Sequence, residues 1–286
     1  MTRQTLNAVG IAVLAIMLLV LGRHSDVQAQ GADLPPALPN GVAVGDVTAT
    51  CAVLWARTIG GETLTFEISA GERGARTERL ASIQVESALR PISIPVDSLT
   101  PQTSYAYTVT TGSGQQVSGR FRTPAVTGRN GLRFGVSGDG RGDWLPFQAL
   151  ANASARNLDF FVYLGDTVYA DIGSPAVPAV AQSLNDYRRK HAEVYSTRLD
   201  RNYLADLRRS TAFYASIDDH EVVDDFAGGA LAADDERFPE SNGFINDTAR
   251  YEAGLLAFQE YYPLQQETYG VMGGDRRMDG ERRLYR

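Results

Sequence analysis

Residues 159–171 read Asp159-Phe160-Phe161-Val162-Tyr163-Leu164-Gly165-Asp166-Thr167-Val168-Tyr169-Ala170-Asp171. The run from Asp159 to Leu164 has the apolar, β-branched and aromatic content of a strand and ends in Gly-Asp. Two other runs end in the same way. Leu132 to Val136 leads into Ser137-Gly138-Asp139-Gly140-Arg141-Gly142-Asp143, and Thr211 to Ile217 leads into Asp218-Asp219-His220-Glu221-Val222-Val223-Asp224-Asp225. Around them, Trp144 to Asn157, Leu184 to Arg209 and Asp247 to Tyr261 have helical patterns. Strands that alternate with helices indicate an α/β layer. Apolar strands whose carboxyl ends carry the polar residues place a site at those ends. Residues 227–246 read as a polar surface loop near it.

Upstream the period changes. After the Pro-rich linker Leu34 to Pro39, residues 41–123 read as short strands: Ala49 to Ala56, Leu64 to Ile68, Pro91 to Val96 and Tyr105 to Val109, separated by turns such as Thr111-Gly112-Ser113-Gly114. Strands at this spacing with no helix between them suggest a β-sandwich of immunoglobulin or fibronectin type, with Trp55 as its buried aromatic. Leu99 to Tyr105 resembles the corner before a late fibronectin strand. The expected fold is therefore an N-terminal β-sandwich over 38–124 followed by an α/β layer over 130–286.

The chain has 286 residues, with 27 Lys and Arg against 34 Asp and Glu, a formal charge of −7. That balance, with no dense basic run, argues against sequence-independent nucleic-acid binding, and no feature suggests sequence-specific binding. A single cysteine, Cys51, excludes an internal disulfide framework and a multi-thiolate zinc site. The three histidines are His24, His191 and His220, so a metal here relies on oxygen ligands. Arg3, the apolar run Ala8 to Leu21 and the small-x-small pattern at Val27-Gln28-Ala29 form a signal peptide over residues 1–29, cut after Ala29. The mature chain is then secreted or periplasmic, with no stable membrane anchor. Cys51, lacking a partner, is expected to be buried.

Acidic groups gathered at three strand ends repel one another, and each is raised in pKa unless a cation joins them. Carboxylates and a phenol are hard oxygen donors suited to Ca²⁺, Mn²⁺, Mg²⁺ or Fe³⁺. Tyr169 stands three residues after Asp166, so one turn can aim both at one ion, with Gly165 and Gly138 supplying the tight turns. His191, in the charged stretch Tyr187 to Tyr195, reads as solvated or packed and not as a ligand. No Gly-x-Ser-x-Gly elbow is present to suggest a serine nucleophile.

The series Gly-Asp-x-Gly, Gly-Asp-x-x-Tyr and Asp-Asp-His-Glu resembles the calcineurin-like metallophosphatases, and more closely the PhoD-like alkaline phosphatases, whose N-terminal domain the sandwich also resembles. The resemblance implies a metal-dependent phosphoric ester hydrolase, an alkaline phosphatase or phosphodiesterase, that uses a metal-bound hydroxide on small phosphate esters. It implies a bimetal centre of Fe³⁺ with Ca²⁺, Mn²⁺ or Mg²⁺ being alternatives. Carried over by motif, Asp139 binds one metal, Asp166 bridges two, Tyr169 binds the iron-like ion and Asp219 the second. His220 faces the substrate phosphate. Arg141 stands where many members have a His and either binds phosphate or forms a surface ion pair. Gly138-Asp139 stands where these enzymes often have Ser-Cys. The family's later Val-x-x-His and Gly-His-x-His ligands have no match, since no histidine follows His220, and the chain reads as missing the second half of the catalytic layer. The rival expectation is a non-catalytic secreted binding module with structural Ca²⁺.

Overall fold

A computed structural model describes residues 34–71, 77–226, 228–238 and 242–265. The signal peptide expected over residues 1–29 and the segment from 266 to Arg286 lie outside the described residues. No helix among the described residues is long and apolar enough to cross a membrane.

Strands β1 (Val42–Gly45), β2 (Ala52–Ala56), β3 (Glu62–Ala70), β4 (Thr77–Val85), β5 (Ile92–Val96), β6 (Ser104–Thr111) and β7 (Gln116–Arg122) come first. They are followed by β8 (Phe134–Ser137), β9 (Phe160–Leu164), helices α1 (Leu184–Val194) and α2 (Tyr203–Ser210), β10 (Ala212–Ser216) and helix α3 (Ala249–Tyr261). One sheet is antiparallel, in the order β4-β3-β6-β7. The other runs β5-β2-β1-β10-β9-β8. Its first half is antiparallel, and β10, β9 and β8 are parallel. The N-terminal strands and the α/β strands thus share one sheet, joined where Gly45 of β1 pairs with Phe213 of β10. A Cβ on Gly45 would lie 2.4 Å from the Phe213 carbonyl oxygen, so only glycine permits this approach.

The period-2 pattern of the strands sorts side chains between two cores. Leu64, Phe66 and Ile68 of β3 and Tyr107 and Val109 of β6 meet Val42, Val44 and Leu54 inside the sandwich. Tyr105 closes the corner, its hydroxyl accepting the Thr100 N–H at 2.8 Å. Ala43 and Trp55 point the other way, into the core under the helices. Trp55 is therefore buried as expected, but not in the sandwich: its indole N–H donates to the Glu260 carbonyl on α3 at 2.8 Å, and the buried Arg208 guanidinium of α2 lies 4.4 Å from its ring centre.

Several expectations change. Trp144 to Asn157 is not a helix but three short 3-10 turns; Pro146 has no N–H to give, and Phe147 at φ 53° and Asn157 at φ 50° leave helical space. Leu184 to Arg209 breaks into α1 and α2, because Leu199 and Asp200 take positive φ and Asn202 starts a new helix by accepting the Ala205 N–H at 3.0 Å. Among the described residues strand β8 lies at the edge of its sheet, with Phe134 and Val136 about half exposed. Cys51 is only part-buried, in a turn where its N–H donates to Thr48 Oγ1.

Candidate metal centre

The parallel strands β8, β9 and β10 end side by side, and the loops leaving them are laced together. The Gly140 N–H donates to the Asp166 carbonyl at 2.7 Å, and the Ala170 N–H to the His220 carbonyl at 3.0 Å. Gly165 at φ 82° makes the turn after β9, and a Cβ there would lie 2.5 Å from the Asp218 Cβ. Gly138 has no such requirement. Asp139 and Asp166 themselves sit at φ 59° and 48°. Such left-handed backbone at two acidic residues is unfavourable and is found where a site holds its groups in place.

The structure brings Asp139, Asp166, Tyr169, Asp219 and His220 together. The Tyr169 hydroxyl is shared between Asp139 Oδ1 at 2.8 Å and Asp166 Oδ2 at 3.2 Å. The Tyr169 ring stacks on the His220 ring with centres 4.0 Å apart. One ligand atom each from Asp166, Asp219 and His220 lie within 4.8 Å of one another. Asp219 Oδ2 also accepts the Asp225 N–H at 2.5 Å. Arg141 is turned differently: it forms a bidentate pair with Asp143 at 3.0 and 2.9 Å, its guanidinium carbon 5.2 Å from the Trp144 ring centre and 5.7 Å from that of Tyr169.

Burial raises the Asp166 carboxyl above its ordinary range; His220 opposes this, and Asp219 adds to it. Burial also raises the Tyr169 phenol, and its bond to Asp139 raises it further. Burial is the first cause of both shifts, and the neighbouring carboxylates add to it. Asp166 Oδ1 is buried with no hydrogen-bond partner among the described residues, an orphan acceptor of the kind a cation satisfies. Three carboxylates and a phenol fit a hard divalent or trivalent cation.

Sequence reasoning missed two residues. Asp171 holds His220 Nδ1 with Oδ1 at 2.9 Å and Oδ2 at 3.0 Å. Glu221 is fully buried and accepts the N–H and the hydroxyl of Thr167, each at 2.5 Å, and the Asp218 N–H at 2.9 Å. Both stand inside the quoted motifs. The apolar Val222-Val223 after Glu221 was the available sign that this carboxylate turns inward. His191 is also buried, on Tyr261; it is packed, not solvated.

Residues 135–286 match the family model for PhoD-like phosphatase, and residues 25–125 that for the PhoD-like phosphatase N-terminal domain. Among solved structures, a structure of PhoD is similar with a TM-score of 0.66 at 21% identity, over 89% of this chain and 50% of that one. The chain thus spans half the length of that structure, and the likeness shows the fold. The sensor domain of the anti-sigma factor RsgI4 of Pseudobacteroides cellulosolvens matches over 30% of this chain and 94% of that one at 20% identity, with a TM-score of 0.27. The fn3 domain of human collagen alpha-1(XX) chain matches over 35% and 91% at 15% identity, also at 0.27. No curated protein matches the sequence.

Proposed function

The chain belongs to the PhoD-like phosphatase family, and from that premise we propose that it is a secreted, metal-dependent phosphoesterase acting on small phosphate esters. The observation that carries this reading is the Tyr169 hydroxyl shared between Asp139 and Asp166, from the ends of two neighbouring strands. Asp139, Asp166, Tyr169 and Asp219 would hold the cations, Fe³⁺ with Ca²⁺ or another hard pair. Such ions, when bound, supply Lewis acidity and activate water. His220 does the work at the substrate. A carboxylate only accepts, so Nδ1 carries the proton shared with Asp171; in the imidazolium form, which Asp171 favours, Nε2 carries a second proton and donates it to a phosphoryl oxygen or a departing alkoxide. Asp224 Oδ1 lies 3.6 Å from that nitrogen, on its open side. Tyr169, stacked on the ring, keeps it from tilting.

Export is part of the proposal and is supported by the charged start, the apolar run and the small residues before Gln30. Mass spectrometry of the exported chain should find Gln30 first; an intact Met1 in the membrane fraction would refute it.

Activity is tested on p-nitrophenyl phosphate and bis-p-nitrophenyl phosphate at alkaline pH, with ferric iron, calcium or manganese added. Metal-dependent turnover that drops in His220→Ala more through kcat than through KM supports the proposal. Metal binding without turnover favours the binding-module reading, and neither binding nor turnover removes the hydrolase.

A further inference from the structure

The chain has two tryptophans, and they are used in opposite ways. Trp55 is fully buried, whereas Trp144 is 54% exposed and belongs to no core cluster. Trp144 closes the short turn Gly142–Trp144 that follows Asp139. Its N–H donates to the Arg141 carbonyl at 3.0 Å. Arg198 Nη1 ties the same turn down by donating to the Asp143 carbonyl at 2.7 Å. Arg141, fixed by its two bonds to Asp143, lies over the indole with its guanidinium carbon 5.2 Å from the ring centre. The indole centre is 6.4 Å from that of Tyr169, whose hydroxyl touches both Asp139 and Asp166. A rigidly held, half-exposed indole therefore stands one ring's width from the carboxylate cluster. Burial alone would draw such a side chain into the core, and among the described residues it joins none of the core clusters.

We propose that Trp144 is a specificity residue: a stacking platform for the flat aromatic or heteroaromatic group of a phosphoester whose phosphate lies at the Asp166–His220 cluster. This rests on the phosphoesterase reading above. Arg141, held by Asp143, stiffens the indole by a cation–π contact. Aliphatic phosphoesters would make only the phosphate contacts.

The test uses the full chain with calcium, manganese or ferric iron, titrated with AMP and with ribose 5-phosphate, which keeps the phosphate and sugar and lacks the base. AMP should bind about 5- to 100-fold more tightly, the gain typical of stacking one base on an aromatic side chain. Trp144→Leu should abolish that difference while leaving ribose 5-phosphate affinity unchanged, and Trp144→Phe should keep most of it. Indole fluorescence gives a second reading. AMP should quench the exposed tryptophan and ribose 5-phosphate should not, and the quench should vanish in Trp144→Leu, where only the buried Trp55 emits. Equal affinity for the two ligands, or a preference for AMP that survives in Trp144→Leu, would overturn the platform and leave the phosphoesterase reading standing. Failure of both ligands to bind the wild-type chain with any of the metals would overturn that reading and the platform with it.

Discussion

Asp171 grips the Nδ1 nitrogen of His220 with both carboxylate oxygens, at 2.9 and 3.0 Å, and its Oδ2 also accepts the Asp224 N–H at 2.9 Å. Burial works to lower the imidazole pKa, but the bond to Asp171 and its charge outweigh this and leave it raised. The pair fixes both the tautomer and the ring plane, the role a carboxylate commonly has behind a working histidine. Asp171→Ala should lower kcat about 10- to 100-fold, by analogy with loss of other outer partners, with a smaller change in KM. Long-range proton–nitrogen spectra should show His220 protonated at Nδ1 in the wild type and mixed tautomers in Asp171→Ala. Identical ring spectra in the two proteins would show that Asp171 has no positioning role.

Glu221 is the clamp between the second and third strand ends. Burial pushes its carboxyl up to about 7, against the three bonds it accepts from Thr167 and Asp218. Removing it leaves those donors buried and unpaired, at about 1–3 kcal/mol each. Glu221→Ala should therefore lower unfolding free energy by about 3–5 kcal/mol in urea titrations. A loss below about 1 kcal/mol would mean that water replaces the carboxylate without penalty.

Much of this was legible in the sequence. The three apolar runs ending in acidic residues placed β8, β9 and β10 and the cluster at their ends, because strand content and strand-end polarity are local signals. The spacing of Asp166 and Tyr169 placed both at one point for the same reason. What was not legible depended on contacts far apart in the chain. Trp55 sits on a strand of the sandwich, yet its partner Glu260 lies 205 residues away, so no local pattern tells which face of β2 carries it. The helical period over Trp144 to Asn157 was real, but Pro146 and the positive φ of Phe147 overrode it. Asp171 lies 49 residues from His220, and a lone aspartate after a tyrosine gives no sign of that pairing.

The metal reading makes a prediction that needs no turnover. A cation that binds only the folded chain stabilises it by about 2.7 kcal/mol at a hundred times its Kd. For a chain of this size that raises Tm by about 5–10 °C. Calcium, manganese or ferric iron should give such a rise, and Asp166→Asn, which removes the charge beside the orphan Oδ1, should cancel most of it. If the ion beside Tyr169 is ferric, the wild type should show a visible charge-transfer band that Tyr169→Phe abolishes. A metal-replete, colourless protein would sink the iron assignment and leave calcium or manganese in place. An unchanged Tm with every metal would count against the site as a whole.

Acid stability depends on a buried histidine that is not among the candidate metal ligands. His191 is fully buried, and neither ring nitrogen has a partner among the described residues. Its ring stacks on Tyr261 at 5.3 Å and meets Tyr262 edge-on at 6.1 Å. Those tyrosines come from the end of α3, and the charge that acts on the imidazole is Arg208 of α2. Burial first, and then the Arg208 charge, depress its pKa to about 3. In the unfolded chain the imidazole takes a proton near its ordinary value, about 6.5. Between those two values the unfolded state binds more protons, so stability falls as pH drops through 6.5 and goes on falling towards 3. From pH 7 to pH 5 the loss due to this group is about 2 kcal/mol. His191→Phe, which keeps a ring in the cavity and cannot be protonated, should lack that part of the slope while sharing the acid response of every carboxylate. Urea titrations of both proteins at pH 7, 6 and 5 give the comparison. Parallel slopes would show that His191 is hydrated or protonated in the folded chain.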